Sequence, residues 1–229
     1  MNAIHVLLRL ALALICWTPW LAPCLAFATD FSAAEQAIFM DNHFAKLKPP
    51  LTLHYAYRKT GTLEEPFDDK VSLALTAQPD GKCCAVRTEF LSGARTVRQP
   101  EIESAGGNPA ILYFLERDIA EMQRLTKGKA NYFRKRIRMA VYQGAKVRSV
   151  SLPYRGKPVA VREISIAPYL DDPNRARFEK LAGKTYVFLL SDAVPGGLYG
   201  IRTRIDGESA ASPPLMAEEM LLDGAGRQP

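Results

Sequence analysis

Side chains able to do chemistry are few in this chain and widely spaced. Of its three histidines, His43 and His54 lie outside the apolar leader, and neither has a cysteine or a second histidine at ligand spacing. A zinc site is therefore not expected. His54 as a general base would need a nucleophile and an orienting carboxylate brought to it by the fold. Ser191-Asp192 is the nearest suggestive pair, but nothing in the sequence brings it to His54, and the Gly-x-Ser-x-Gly elbow is absent. Asp68-Asp69 and Asp171-Asp172 have the residue types of a glycosidase or metal site. Adjacent residues rarely converge on one point, so Asp172 reads as a helix cap before Pro173, and Asp68-Asp69 as a loop between Pro66 and a strand. No phosphate-cradling glycine loop is present, and no cofactor is expected.

Cys83-Cys84 is the candidate redox pair. Neighbours in a strand point to opposite faces. The reading adopted is two unpaired thiols, one buried and one exposed. The alternatives are a vicinal disulfide, which needs a distorted backbone, and an intermolecular bridge.

The most distinctive feature is electrostatic. Between Met122 and Arg162 there is no Asp or Glu, while Lys and Arg recur throughout, in a chain of net charge +6. Lys129, Arg134, Lys135, Arg136 and Arg138 are the candidate contact residues. Such a segment suits an anionic ligand or lipid head group, or an acidic protein. Nucleic acid is not expected for an exported protein, although Tyr132 and Phe133 interleave with the cations as a nucleic-acid surface would require. The competing reading is a solvated face partly paired with Glu101, Glu103, Glu116 and Glu121.

Export is read from residues 1–28. Arg9 and the amino terminus precede an apolar stretch, Leu10 to Leu25, and Ala26-Phe27-Ala28 fits small-x-small cleavage before Thr29. Leu21-Ala22-Pro23-Cys24 is an imperfect lipobox, with Pro23 where a small residue belongs. No later run approaches the ~20 apolar residues of a spanning helix. The mature chain is expected to be soluble, without a transmembrane segment, and periplasmic or secreted.

The 229 residues, 48% apolar and 24% charged, have a globular composition that excludes a disordered or fibrous chain. Ser32 and Glu35 form a capping-box pattern ahead of a helix over 32–47. Leu51, Leu53, Tyr55 and Tyr57 alternate with polar residues, as do Val71, Leu73 and Leu75. Pro79-Asp80-Gly81 turns the chain into a partner strand from Cys83 to Leu91, and Ala94 to Val97 adds a short strand. Asn108 and Pro109 open a helix to about Thr126, with Leu112, Leu115, Ile119 and Met122 on its apolar face and Arg117 pairing with Glu121 on the other. Residues 131–143 fit helix and strand patterns, and helix is favoured. Strands follow over 147–152, 159–166, 184–190 and 198–205, with a short helix from Asp171-Asp172-Pro173 to Gly183 and a Pro195-Gly196 type II turn. The aromatics read as core. Residues 206–229, rich in Gly, Ala, Ser and Pro, read as a mobile tail, with a brief amphipathic helix over Leu215 to Leu222 as the one element it could form.

The sum is α+β: one domain over 29–205, a curved antiparallel sheet of about seven strands packed on helices. By analogy of fold alone, the half-barrel of lipoprotein-localisation carriers satisfies that pattern. Three stretches resemble an uncharacterised family of exported proteobacterial proteins: Asn108 to Ile111 with Phe114 to Asp118, Tyr132 to Arg138, and Leu190 to Gly197. That resemblance implies export and no activity. The expected function is non-catalytic: capture of an anionic or amphiphilic ligand, or of an acidic partner, through the basic segment. The alternative is a periplasmic hydrolase whose site is assembled from scattered residues.

Overall fold

Alternation along the chain builds the first half of the sheet. β1 (Leu51–Thr60) buries Leu53, Tyr55 and Tyr57 and leaves Thr52, His54, Ala56 and Arg58 exposed on the other face. It pairs with β2 (Phe67–Ala77), which pairs with β3 (Cys83–Phe90), and β4 (Val97–Arg98) ends that edge. The other half is β5 (Lys146–Tyr154), β6 (Lys157–Ile166), β7 (Thr185–Leu190) and β8 (Leu198–Ile205). The two-residue turn between β5 and β6 holds Arg155 and Gly156 at φ 48° and 78°, the double left-handed geometry that twisted hairpins favour. Gly197 N–H donates to the Val194 carbonyl across Pro195 and Gly196, and Gly196 has φ 76°, as a type II turn requires.

The computed structural model describes residues 31–78, 83–209 and 211–226. The expected leader with its cleavage site and Cys24, the Pro79-Asp80-Gly81 turn and the end of the expected tail lie outside them.

Nine strands form one open, curved antiparallel sheet in the order β4-β3-β2-β1-β9-β8-β7-β6-β5. The strand joining the halves is β9 (Met216–Leu222), paired with β1 on one side and β8 on the other. This corrects the expectation of a mobile tail from residue 206 and of a brief helix over Leu215 to Leu222, because pairing on both sides holds the segment extended. Met216, Glu218, Met220 and Leu222 form an inward row, none more than 3% exposed.

The helices cover one face. α1 (Ala33–Glu35) has the expected capping box at Ser32 and continues as a wider turn over Gln36–Met40. It stops there rather than at Leu47. Asp41 is extended, and the Asn42 side chain accepts the Phe44 N–H in a local turn that competes with helix. α2 (Pro109–Thr126) is capped by Asn108, whose Oδ1 accepts the Ala110 N–H at 3.1 Å. α3 (Ala130–Gly144) settles the 131–143 ambiguity as helix and buries Phe133, Ile137 and Val141. α2 buries Leu115, Ile119 and Met122 as expected, but Leu112 is 53% exposed. Phe114, Asp118 and Glu121 are buried as well, because the sheet takes a second face of the helix.

Asp68 and Asp69 lie inside β2, not in a loop. Asp68 pairs with Arg58 across the strands at 2.7 Å, and Asp69 accepts the Ser92 N–H. Asp172 does cap, accepting the Asn174 N–H at 2.7 Å ahead of short 3-10 turns at Arg175–Arg177 and Glu179–Gly183. It is also buried, against Arg136 and the Tyr132 hydroxyl. Among the described residues no helix is long and apolar enough to cross a membrane.

Candidate ligand-binding groove

An apolar groove of about 520 Å³ opens between the first helical turns, the loop 102–108, and the outer faces of α2 and α3. Its lining includes Ile38, Ile111, Leu115, Ile119 and Ile137, all buried core residues that also face this space. Met40 and Leu112, 49% and 53% exposed, stand at its mouth. Its charged residues are Arg134 and Arg138 of α3, facing Glu116 of α2 and Glu35 of α1. Arginines four apart share one helix face, so the 3.6-residue period sets both along the same wall.

The two arginines differ in what already holds them. Arg134 is clamped on Glu116 by two bonds, Nε to Oε1 at 2.7 Å and Nη2 to Oε2 at 2.5 Å. This pairing raises its pKa above the ordinary guanidinium value. Arg138 is 75% exposed, and its Nε is 4.0 Å from a Glu35 oxygen. Glu35 is itself engaged, accepting the Ser32 N–H as part of the capping box.

The remaining candidates of the basic segment go elsewhere. Arg136, on another side of α3, forms an ion pair with Asp172 at 2.8 Å and donates its hydrogen bond to the Pro168 carbonyl. Lys129 precedes α3 and Lys135 lies on its solvent side. The segment is thus part groove wall, part internal anchor. Of the acidic partners considered, Glu116 takes Arg134, and Glu121 lies 3.7 Å from Arg124.

A second, polar cleft of about 830 Å³ lies between residues 37–47, the strands β6 and β7, and the loop Ser191–Gly197. It brings Ser191 and Asp192 beside His43, while His54 sits on the exposed face of β1. The local bonding does not poise a nucleophile. The Ser191 hydroxyl donates to the Ala160 carbonyl at 2.6 Å and accepts the Ala193 N–H. The Asn108 N–H donates to His43 Nδ1 at 3.0 Å, so Nε2 carries the proton and donates to the Ala37 carbonyl at 2.9 Å. Both ring nitrogens therefore serve the main chain. Gly197, at φ 68°, packs so close to His43 that a Cβ there would fall 2.9 Å from the ring.

Between α2 and the sheet lies an ionic cluster that sequence reasoning missed. Lys59 of β1 reaches Glu121, with Glu64 beside it. Glu218 of β9 accepts from Arg117 at 2.7 Å and from the Tyr57 hydroxyl at 2.8 Å. Lys184 reaches Asp118, which also accepts the Tyr186 hydroxyl at 2.6 Å. Arg117 and Glu121 do pair, at 3.5 Å, but on the face turned to the sheet rather than to solvent. Burial pushes Glu218 up, but the attraction of Lys184, Arg117 and Lys59 outweighs it and holds the carboxyl at about 2. Burial likewise opposes the charge of Lys184, and Asp118 and Glu218 beside it raise its pKa overall. None of these seven charged residues lines either cleft; their contacts tie α2 to the sheet. The sequence showed the Arg117–Glu121 spacing, but nothing in it brought Lys59, Asp118, Lys184 and Glu218 to the same face.

Cys83 and Cys84 are joined by a disulfide, which corrects the reading of two free thiols. The pair sits at a bulge: Thr76 pairs with Ala85 and Ala77 with Cys83, so Cys84 has no partner on β2. An irregular strand start supplies the backbone distortion that a bond between neighbours demands.

No protein-family model matches the chain, and no curated protein matches it in sequence. Among solved structures, the chain is similar to the crystal structure of the Mycobacterium tuberculosis lipoprotein LppX, at 12% identity and a TM-score of 0.30, over 78% of this chain and 87% of that one.

Proposed function

We propose that this protein is a non-catalytic binder of an anionic amphiphile, with the apolar chain in the groove beside Leu112 and the head group at Arg138. The observation that carries the reading is an apolar groove of about 520 Å³ whose α3 wall bears two arginines one turn apart. Its volume falls in the range of small-molecule sites, and apolar lining with few charges is their usual make-up. A concave apolar floor suits an acyl chain better than it suits the surface of an acidic protein. The leader-like residues 1–28 put this binder outside the cytoplasm, cleaved before Thr29. Intact mass of the exported chain tests that part.

The groove is tested with a fluorescent long-chain fatty acid as probe. Leu112 is exposed, so Leu112→Glu should leave the melting temperature nearly unchanged. It places a carboxylate where the chain would lie, and probe binding should be lost. A variant that binds the probe as tightly as the parent overturns the assignment of the groove.

A further inference from the structure

We propose that the Cys83–Cys84 disulfide is a redox-operated clasp on one wall of the groove, opened by a dithiol reductant; its effect on ligand capture rests on the groove being the binding site. The wall in question is the loop between β4 and α2, of which Ile102, Ala105, Gly106, Gly107 and Asn108 line the groove. Two attachments hold this loop to β3. Val86 and Ile102 exchange both main-chain bonds, at 2.8 and 3.0 Å, and the Ala105 N–H donates to the Cys84 carbonyl at 2.9 Å.

The second attachment depends on the disulfide. A bond between neighbouring sulfurs closes a small ring through the peptide that joins them, and it holds both side chains on one side of the strand. Regular strand geometry sends neighbours to opposite faces. While the ring is closed, Cys84 stays out of the ladder with β2, and its carbonyl is presented to Ala105. When the ring opens, β3 is free to straighten, Cys84 takes a ladder position, and its carbonyl turns away from the loop. The groove wall then keeps Val86 as its tie to β3 and Asn108 as its tie to His43, and the stretch around Ala105 between them is loosened.

Access favours one sulfur. Cys83 is partly exposed and Cys84 is fully buried. A thiolate of the reductant attacks Cys83 Sγ, the Cys83–Cys84 bond breaks, and Cys84 leaves as a thiolate that takes up a proton. The second thiol of the reductant then displaces Cys83 from the mixed disulfide. Cys83 is protonated, and the reductant leaves as its own disulfide. Two electrons and two protons pass from the dithiol to the protein.

The test compares the purified protein with and without dithiothreitol, alongside the double variant Cys83→Ser with Cys84→Ser. Alkylation mapped by peptide mass should label Cys83 and Cys84 only after reduction. Amide exchange at Ala105 should quicken about tenfold on reduction, as expected for loss of roughly one net hydrogen bond. The far-ultraviolet spectrum should not change, and binding of the fluorescent fatty acid should weaken several-fold. The double variant should show the fast exchange in either buffer. Labelling of both cysteines without reductant overturns the proposal, as does unchanged Ala105 exchange, and so does loss of the whole sheet on reduction, which would make the bond a staple. If exchange quickens but the oxidised protein binds no probe, the groove's ligand assignment fails while the clasp stands.

Discussion

Lys184, at the foot of β7, reaches Asp118 of α2 with neither side chain exposed to solvent. The pair belongs to a row of contacts, with Lys59 on Glu121 and Arg117 on Glu218, that runs along the sheet-facing side of α2. Taking charges from water costs several kcal/mol per ion, so such pairs add little net stability against apolar packing. They do penalise any other seating of the helix, because a shift would leave buried charges unpaired. Asp118→Ala should therefore cost about 3–5 kcal/mol, since Lys184 and the Tyr186 hydroxyl lose their partner. Asp118→Leu combined with Lys184→Met should recover a good part of that loss. Chemical denaturation of the single and double variants measures both; equal losses would show that the pair does not act as a unit.

Acid should loosen this cluster in a defined window. The Glu218 carboxyl lies at about 2 in the folded protein, against 4.5 for the free group, because Lys184, Arg117 and Lys59 outweigh the cost of its burial. A carboxyl lowered by folding stabilises the fold above its unfolded pKa and loses that contribution as pH falls. The loss should run from about pH 4.5 to about pH 2 and amount to roughly 3 kcal/mol. Glu121 works in the opposite sense. Burial first, then the charge of Glu218, raises its pKa, so it takes up a proton before Glu218 does and without loss of stability. Glu218→Gln should be less stable at pH 7 and flatter across the acid window. An acid-unfolding curve parallel to that of the parent would contradict this assignment.

What the sequence revealed and what it hid follow from the period of the buried positions. In β1, Leu53, Tyr55 and Tyr57 are all apolar, and the strand was legible. In β9 the inward row is Met216, Glu218, Met220 and Leu222, and the buried acid in second place erased the alternation. Its partners, Arg117, Lys59 and Lys184, come from three other elements, and no local pattern announces them. The cationic run was legible as composition, but its division was not. Neighbouring positions on α3 point in different directions, so Arg136 meets Asp172 while Arg134 and Arg138 meet the groove. The groove itself is made by the loop 102–108 and the early end of the first helix, both irregular, and irregular backbone leaves no periodic trace.

Removing the segment read as a tail should unfold the protein. β9 is hydrogen-bonded on both sides, to β1 and to β8, so a chain ending at Asp206 separates the sheet into halves with two open edges. It also strands Arg117 without Glu218. The truncated chain should show no cooperative melting transition and should aggregate through those edges. A chain ending at Asp206 that melts cooperatively near the parent temperature would show that β9 adds to a fold already complete.

Leu115 of α2 is 5% exposed and faces both the core and the groove. Leu115→Ala should lose about 2–5 kcal/mol, towards the lower end where the open groove lets neighbours relax. A denaturation midpoint equal to that of the parent would remove this helix face from the core.

The rim of the groove should respond to charge in a pattern that separates its two arginines. Arg138 is largely exposed and, among the described residues, is approached by Glu35 at 4.0 Å, which leaves its guanidinium open to a head group. Arg138→Gln should weaken binding of an anionic probe by about tenfold, the worth of one hydrogen bond to a charged group. Its stability should change by less than about 1 kcal/mol. Arg134 is already spent on Glu116, and removing it uncovers that carboxylate beside the groove. Arg134→Gln should therefore weaken the anionic probe by repulsion, and adding Glu116→Gln should reverse the loss. Glu116→Gln alone frees Arg134 for the ligand and should tighten binding. All of these differences should shrink with added salt, because exposed charges are screened beyond ~8 Å at physiological ionic strength. A neutral alcohol of the same chain length should bind the parent and all three single variants alike; if it follows the same order as the acid, the arginines shape the groove and do not read the head group.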